Sequence, residues 1–346
     1  MKNIKIEKDT ELESLLAKCK KKELKFGLAL GSGSARGMAH IGVIQALEAY
    51  HIPIDMIAGT SIGSVVGSVY ATGASIKQMK EAALAMKRSK TISLMVPTLP
   101  YSGLISGNRA EEILNNIALK DKTFDDLKIP FAAVATDIKT GAKVILNQGS
   151  VIKAVRASIS IPGIFTPVKY QDYYLVDGGL VDPVPADVVE KMGADIIIAV
   201  SLTQKSPDSI LMILNRETGD LKEVEDLFDF RIYKGKNPRY QVVNKITSLV
   251  EKEVTSLGKK IKGVKKKLEG PHIIEVISKS VDIMEKEITS RGLSKADVII
   301  IPFGIDDISL FEFDKADITI RGGIDATLAK IHQIKEVIKE KIALAE

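Results

Sequence analysis

The chain has 346 residues, of which 45% are hydrophobic and 27% charged, and a formal net charge of +5. These are ordinary values for a globular protein, so they exclude a wholly disordered chain and leave room for one large domain or two smaller ones. No run of 18 uncharged apolar residues occurs, which excludes a transmembrane helix on sequence grounds. The N-terminal residues lack the apolar stretch of a secretion signal, and the one cysteine, Cys19, can form no internal disulfide. A cytoplasmic location is therefore expected.

The first strong strand runs into a glycine-rich loop. Residues 1–24 are polar, contain one helical turn at most, and are predicted to form a peripheral extension. Residues 25–30 indicate a buried strand, and residues 31–37 (Gly-Ser-Gly-Ser-Ala-Arg-Gly) lead into an apolar helical pattern that starts at Met38. Small residues between a strand and a helix let backbone N–H groups converge on an anion beside the positive end of the helix.

Three interpretations of this loop remain open. A dinucleotide-binding fingerprint would use Asp55, about 20 residues further on, but the glycines are spaced one residue too far apart and Asp55 begins the next strand instead of ending it. An oxyanion hole would use the N–H groups of the loop to bind the negative charge that develops during ester hydrolysis. A glycine turn with a purely structural role is the third interpretation.

The second strand is followed by a serine between two glycines. Residues 54–58 indicate the strand, and residues 59–63 read Gly-Thr-Ser-Ile-Gly before a predicted helix begins. This strand-turn-helix context is typical of a nucleophile elbow, in which Ser61 is exposed at the turn and Gly59 and Gly63 keep Cβ atoms out of it. The G-x-S-x-G pattern alone occurs by chance in about one chain in ten of this length, so a structural turn is the alternative.

The remaining elements continue an alternation of strands and helices. Strands are predicted at residues 131–136, 143–146, 168–170, 173–176, 195–201 and 297–301, and helices at residues 75–87, 108–118, 151–158 and 314–345. This alternation predicts a doubly wound α/β layer structure with right-handed crossovers. An apolar stretch with two prolines, residues 91–107, is interpreted as a lid or acyl-chain contact, or else as a loop packed on the core.

An acidic residue stands at the end of one of these strands. The strand at residues 173–176 leads into Asp177, which is followed by Gly178 and Gly179. A tight turn at this point would leave the carboxylate presented to a site. An Asp in a turn more often forms only an Asx turn, so its position alone does not identify a catalytic base.

Residues 203–271 interrupt the alternation with a basic segment. Residues 231–270 contain 12 Lys and Arg against 3 Glu, so their net charge of +9 exceeds that of the whole chain. Apolar residues recur at helical spacing: Val243, Val250, Val254, Leu257, Ile261, Val264 and Leu268. This basic amphipathic helix is expected either to lie on an anionic membrane, at the inner membrane surface, or to pack on its own domain or on a second copy of the chain. Nucleic acid is not an expected partner, because no base-reading motif or aromatic platform accompanies the charge.

Several motifs together resemble the patatin-like phospholipase family, in its bacterial branch. They lie in order at residues 30–37, 39–42, 59–63, 155–165 and 177–179. The resemblance implies a three-layer α/β/α fold with a mainly parallel central sheet, a Ser–Asp dyad, and hydrolysis of fatty-acyl esters of phospholipids or lysophospholipids without metal or cofactor. The resemblance covers about residues 25–202 and resumes more loosely from residue 296. The predicted division is therefore an extension 1–24, a catalytic core 25–202, a helical basic insertion 203–271, which the family's motifs do not explain, and a part 272–346 that completes the domain.

Carried over by position, the resemblance assigns roles to individual residues. Ser61 is the implied nucleophile and Asp177 the implied base, with Gly59 and Gly63 on either side of the elbow. The implied oxyanion hole comprises Gly31, Ser32, Gly33, Ser34, Arg36 and Gly37. Ser32 and Ser34 depart from the glycine-richer loop usual in the family, and their Cβ atoms narrow the expected site.

Two rival hypotheses remain. Ser61, Asp177 and His272 follow the order of an α/β-hydrolase triad, although the elbow comes after the second strand, which is early for that fold. The other rival is a non-catalytic scaffold on a membrane surface that uses the basic segment and keeps the fold as a platform.

Overall fold

The computed structural model describes residues 9–85, 119–203, 211–214, 221–224, 273–309 and 312–345. The chain forms two compact units, one of residues 1–206 and 273–346 and the other of residues 207–272. The predicted lid (91–107), the predicted helix 108–118, His272 and the basic stretch 231–270 lie outside the described residues.

The strands of the described residues are β1 (Phe26–Leu30), β2 (Met56–Thr60), β3 (Phe131–Asp137), β4 (Lys143–Leu146), β5 (Val168–Tyr170), β6 (Tyr173–Asp177), β7 (Ile196–Val200), β8 (Leu211–Leu214), β9 (Leu221–Val224) and β10 (Val298–Ile300). The helices are α1 (Thr10–Lys21), α2 (Ala39–Ala49), α3 (Ile62–Ala71), α4 (Ile76–Ala85), α5 (Val151–Ser158), α6 (Ala186–Lys191), α7 (Ile273–Gly292) and α8 (Ala316–Leu344).

A mainly parallel sheet forms the centre of the larger unit. Its strand order is β10-β7-β1-β2-β3-β6-β5, and β4 pairs with β3. The five strands from β10 to β3 are parallel to their neighbours, while β4, β5 and β6 pair antiparallel. Every residue of β1, β2, β3 and β7 is buried, as expected for strands covered on both faces. The predicted mainly parallel α/β sheet is confirmed.

Helices cover both faces of this sheet. On one face, side chains such as Leu28 and Ile57 join a large apolar core with residues of α1, α2, α3, α5 and α8. On the other face, small side chains such as Ala29 and Ala58 pack with Val188 of α6. Small residues on this second face let α6 approach closely, and the result is a three-layer α/β/α architecture.

The N-terminal segment is more ordered than the sequence indicated. Instead of a single turn, residues 10–21 form the three-turn helix α1, whose N-terminus is capped by the Asp9 side chain. Leu12, Leu15 and Cys19 are buried at helical spacing. Lys335 of α8 forms ion pairs with Asp9 and with Glu11. The extension is therefore packed on the larger unit through α8.

The described part of the smaller unit consists of two paired β-strands. Strands β8 and β9 pair antiparallel, from Leu211 opposite Val224 to Leu214 opposite Leu221. The sequence predicts a helical insertion over residues 203–271, and the two strands differ from that prediction. Within the described residues, no helix has the length and apolar character required to cross a membrane.

Two glycines bring α2 and α8 into direct backbone contact. A Cβ atom on Gly42 would overlap the carbonyl oxygen of Ile320, and one on Gly323 would overlap the carbonyl oxygen of Ala39. Helix α2 follows the glycine-rich loop in the chain, so its close packing on α8 also holds the end of that loop in place.

Replacing Gly323 by Ala is expected to lower the free energy of unfolding by about 1–3 kcal/mol, because the added methyl group forces the two backbones apart. Alanine favours a helix over glycine by about 1 kcal/mol, so the expected sign opposes helix propensity. Urea unfolding followed by circular dichroism measures the change. The matched control is Asp325→Ala on the exposed face of the same helix, which should change stability by less than about 0.5 kcal/mol. Equal stabilities of the two variants would contradict the close contact.

Candidate active site

Ser61 occupies a sharp turn between β2 and α3. Its φ of 53° and ψ of −122° lie in a region that a residue with a Cβ atom rarely adopts. A Cβ atom on Gly59 would lie 2.6 Å from the backbone nitrogen of Ser64, and one on Gly63 would overlap the carbonyl oxygen of Leu30. Both glycines are therefore required for the turn that presents Ser61.

The Ser61 hydroxyl donates a hydrogen bond to the carboxylate of Asp177. The distance from Oγ to Oδ2 is 2.6 Å, and the exposed fractions of the two residues are only 5% and 2%. The other carboxylate oxygen, Oδ1, accepts a hydrogen bond from the backbone N–H of Gly179 at 2.8 Å. The sheet brings the pair together because β2 and β6 lie on either side of β3, and both residues stand at the ends of their strands.

Burial gives this carboxylate an unusual affinity for a proton. Loss of hydration raises the pKa of Asp177 to about 7, against the opposing effect of the hydrogen bonds from Ser61 and Gly179. A carboxylate of ordinary pKa is a weak base toward a serine hydroxyl. The raised pKa brings Asp177 into the range in which a general base works near neutral pH.

Neighbouring hydroxyl groups hold the backbone around the pair. The N–H of Ser61 donates to Ser158 Oγ at 2.9 Å, and that hydroxyl donates to the carbonyl oxygen of Val134. Thr136 donates to the carbonyl oxygen of Asp177 at 2.8 Å. The sequence analysis included Ser158 in a family motif without giving it a role. Ser158 is the last residue of α5, and this position carries no chemical signal that would have indicated a role.

Not all of the predicted oxyanion donors can serve. The N–H of Gly31 donates to the carbonyl oxygen of Val200 at 3.0 Å, and that of Ser32 donates to the carbonyl oxygen of Pro183 at 2.8 Å. These two amides are occupied by hydrogen bonds of the fold, which corrects the prediction that they face an oxyanion. The candidate oxyanion donors that remain are the N–H groups of the later part of the loop, Gly33 and Ser34. Gly33 has a φ of 151°, which favours glycine.

The other two loop positions have packing and anchoring roles in this structure. Arg36 donates through Nε to the carbonyl oxygen of Ile308 and through Nη1 to Asp282, each at 3.0 Å. Its charge is therefore paired with a carboxylate, which weakens the positive potential predicted for the loop. A Cβ atom on Gly37 would overlap the side chain of Ile62, so this glycine allows the loop to pack against α3.

A buried histidine is hydrogen-bonded to the first residue of the glycine-rich loop. Nε2 of His40 lies 2.8 Å from the carbonyl oxygen of Gly31, and because a carbonyl only accepts, this nitrogen carries the proton. Burial lowers the pKa of His40 to about 4, so the ring is neutral at physiological pH. His40 thus holds Gly31 in place through this hydrogen bond.

Asp55 lies away from the loop. Its carboxylate accepts a hydrogen bond from the N–H of Phe26 at 2.7 Å, at the start of β1, whereas the loop follows the end of that strand. A carboxylate at the opposite end of the strand cannot hold the ribose of a nucleotide bound at the loop. The dinucleotide interpretation is thereby excluded.

Helix α7 provides a wall of the cleft that the sequence analysis missed. The cleft is lined by Ser32, Gly33, Ser34, Ser61, Ile161, Val281, Asp282 and Glu285. The last three residues belong to α7, more than 200 residues beyond the elbow. Glu285 is buried on the helical stripe that also contains Val281 and Thr289. An acidic residue within such a stripe is the signal that could have revealed it.

Known proteins resemble the part of the chain that contains the glycine-rich loop, Ser61 and Asp177. Residues 28–189 match the family model of patatin-like phospholipases. An uncharacterised NTE-family protein of Mycobacterium tuberculosis is 41% identical over 182 residues, which cover 51% of this chain and 49% of that protein. Human patatin-like phospholipase domain-containing protein 6 is 36% identical over 183 residues, which cover 51% of this chain and 13% of that protein. The chain therefore matches about half the length of its mycobacterial relatives.

A solved structure also resembles this chain. VipD from Legionella pneumophila aligns with a TM-score of 0.42 and 14% sequence identity, covering 92% of this chain and 67% of that one.

The raised pKa of Asp177 predicts a pH-dependent effect of Asp177→Asn on stability. The carboxyl group titrates near 3.8 without the fold and near 7 within it, so between these values the folded state binds more protons. Titration of Asp177 therefore lowers the free energy of unfolding of the wild type as pH rises from about 4 to about 7. The amide variant has no such group and lacks this decrease. The stability of the variant relative to wild type should increase across this window and stay constant above it.

Urea unfolding at several pH values within this window, and at one above it, tests the expectation. Asp172→Asn, at an exposed position in the β5–β6 turn, serves as the matched control and should follow the wild-type curve. If the Asp177→Asn and wild-type curves run parallel through the whole window, the carboxyl group is not perturbed.

Proposed function

Residues 28–189 of this chain form a patatin-like phospholipase domain, and we propose that the protein hydrolyses fatty-acyl esters of phospholipids or lysophospholipids with Ser61 as nucleophile and Asp177 as base. The observation that carries the proposal is the 2.6 Å hydrogen bond between the two side chains in a buried cleft. A serine hydroxyl gains nucleophilic character when a positioned base accepts its proton, and this contact is the required geometry.

Acylation begins with attack of Ser61 Oγ on the ester carbonyl carbon, while its proton passes to Asp177. The carbonyl oxygen becomes negatively charged and is stabilised by N–H groups from the later part of the glycine-rich loop. The N-terminus of α3, which starts at Ile62, adds its positive dipole at the same place. Protonated Asp177 then gives its proton to the leaving alcohol oxygen as the C–O bond breaks.

Deacylation repeats these steps with water in place of the serine. Asp177 accepts a proton from the attacking water, the acyl-enzyme forms a second tetrahedral intermediate, and Ser61 leaves with the proton as the fatty acid is released. The burial of Ser61 and Asp177 favours this chemistry, because electrostatic interactions are stronger where water is excluded.

The direct contact with a carboxylate favours a dyad over a Ser-Asp-His triad. In a triad the serine hydroxyl donates to an imidazole, whereas here it donates to Asp177 itself. His272, the candidate third member, lies outside the described residues. Its replacement by Ala should therefore leave hydrolysis within about twofold of wild type, and loss of activity would favour the triad.

A non-catalytic scaffold is the rival from another class. A fluorophosphonate probe reacts with an activated serine and leaves an unactivated one unmodified. Labelling of the wild type together with its absence in Ser61→Ala would support the enzyme, and a folded wild-type protein that remained unlabelled would support the scaffold.

Release of fatty acid from a panel of phospholipids, lysophospholipids and aryl esters tests the proposal directly. Ser61→Ala and Asp177→Asn should each reduce kcat by at least about 10³-fold, because each removes a group that acts in the chemical step. Ser68→Ala is the control on the same helix, where the hydroxyl donates to the carbonyl oxygen of Val65. Full activity in either of the first two variants would overturn the assignment, and the preferred member of the panel defines the substrate class.

A further inference from the structure

A second buried carboxyl group, that of Glu285, enters the cleft from α7. Its Oε1 accepts a hydrogen bond from the hydroxyl of Ser32 at 2.8 Å, and the exposed fraction of the residue is 6%. One turn earlier on the same helix, Asp282 pairs with Arg36 at 3.0 Å. One turn later, Thr289 donates to the backbone carbonyl of Glu285. Helix α7 is thus attached to the glycine-rich loop through two side-chain contacts, to Ser32 and to Arg36.

Glu285 also lies beside the proposed base. Gly179, whose N–H donates to Asp177, has no space for a side chain, because a Cβ atom there would overlap Oε1 of Glu285 and would lie 3.2 Å from Oδ1 of Asp177. The two carboxyl groups therefore flank the same glycine. Two carboxylates this close in a buried site oppose each other's ionisation, and one of them retains a proton.

The surrounding charges indicate which carboxyl group keeps the proton. The charge of Arg36 favours the ionised form of Glu285, but Arg36 already pairs with Asp282, whose other oxygen faces Lys286. Asp177 receives hydrogen bonds from Ser61 and Gly179, both of which stabilise its charged form. Burial and the charge of Asp177 raise the pKa of Glu285 to about 8, and the contact with Ser32 opposes this only in part.

We propose that Glu285 acts as a neutral carboxylic acid that positions the glycine-rich loop through Ser32, and that its ionisation inactivates the site. This inference rests on the proposed function, since it concerns the loop that would bind the oxyanion. Glu285 is a positioning residue, because it contacts the loop and does not contact the reacting serine.

A neutral acid suits this position for a physical reason. Its carbonyl oxygen can accept the Ser32 hydroxyl without bringing charge into the cleft. An ionised Glu285 would add a second negative charge next to Asp177 and close to the oxyanion, so it would destabilise the transition state. Activity should therefore rise as Asp177 loses its proton, near pH 7, and fall as Glu285 loses its own, near pH 8.

The test is the pH profile of kcat/KM for ester hydrolysis, which reports ionisations of the free enzyme. Glu285→Gln keeps a neutral side chain that accepts from Ser32, so it should retain the acid limb and stay within about fivefold of the wild-type maximum. Its alkaline limb should disappear or move up by at least about one pH unit, because no group remains there to ionise. Glu287→Gln, on the exposed face of the same helix, is the matched control and should reproduce the wild-type profile.

A second variant and a second measurement keep the test independent of folding and turnover. Ser32→Ala removes a hydrogen bond that favours ionised Glu285, so its alkaline limb should move to higher pH. The infrared difference spectrum between the unliganded wild type and Glu285→Gln at pH 7 should contain the carbonyl band of a buried protonated carboxylic acid, because the contribution of the partly protonated Asp177 is present in both proteins.

The outcomes separate this inference from the proposed function. An active wild type whose alkaline limb survives in Glu285→Gln, or a difference spectrum without the protonated-acid band, would overturn the role of Glu285 alone. A wild type without Ser61-dependent hydrolysis of any ester would overturn the proposed function itself.

Discussion

A hydroxyl group and a carboxylate meet at 2.6 Å in the interior of this protein, and the rest of the site is arranged around that contact. Both groups are almost completely removed from water, which would be unfavourable for an unpaired carboxylate. The hydrogen bonds from Ser61 and Gly179 compensate part of that cost. The part of the desolvation cost that is not compensated raises the pKa of Asp177. A raised pKa is the property that a base for serine requires.

The central sheet makes this contact possible over a separation of 116 residues. Strands β2 and β6 are both neighbours of β3, so the residues at their ends lie side by side. Strained backbone at Ser61 is tolerated because the flanking glycines pack directly on backbone atoms. Hydroxyl groups of Ser158 and Thr136 then fix the two chain segments by bonding to their backbones. Precision at the site is thus supplied by buried elements and not by exposed loops.

The sequence predicted what depends on local pattern. Apolar runs located the strands β7 and β10, and neighbouring glycines marked Ser61 and Asp177 as turn residues, because both kinds of signal lie within a few residues. The pairing of Ser61 with Asp177 was implied only by the resemblance to the family. Strand β2 ends at Thr60, two residues after its predicted end. Gly59 and Thr60 are strand residues only through their pairing with Leu30 and Val134. Spatial neighbours were harder to predict. The hydrogen bonds that occupy the Gly31 and Ser32 amides come from Val200 and Pro183, far along the chain, and no local pattern indicates them.

Helix α7, which forms one wall of the cleft, lies late in the chain. The acceptor for the Ser32 hydroxyl lies 253 residues after it, and the carboxylate that pairs with Arg36 follows that residue by 246. During synthesis the chain emerges from its N-terminus, so Ser61 and Asp177 are made long before the wall opposite them. A growing polypeptide therefore carries an incomplete pocket until the segment beyond the insertion has been translated and docked, and the finished cleft is a property of the whole larger unit.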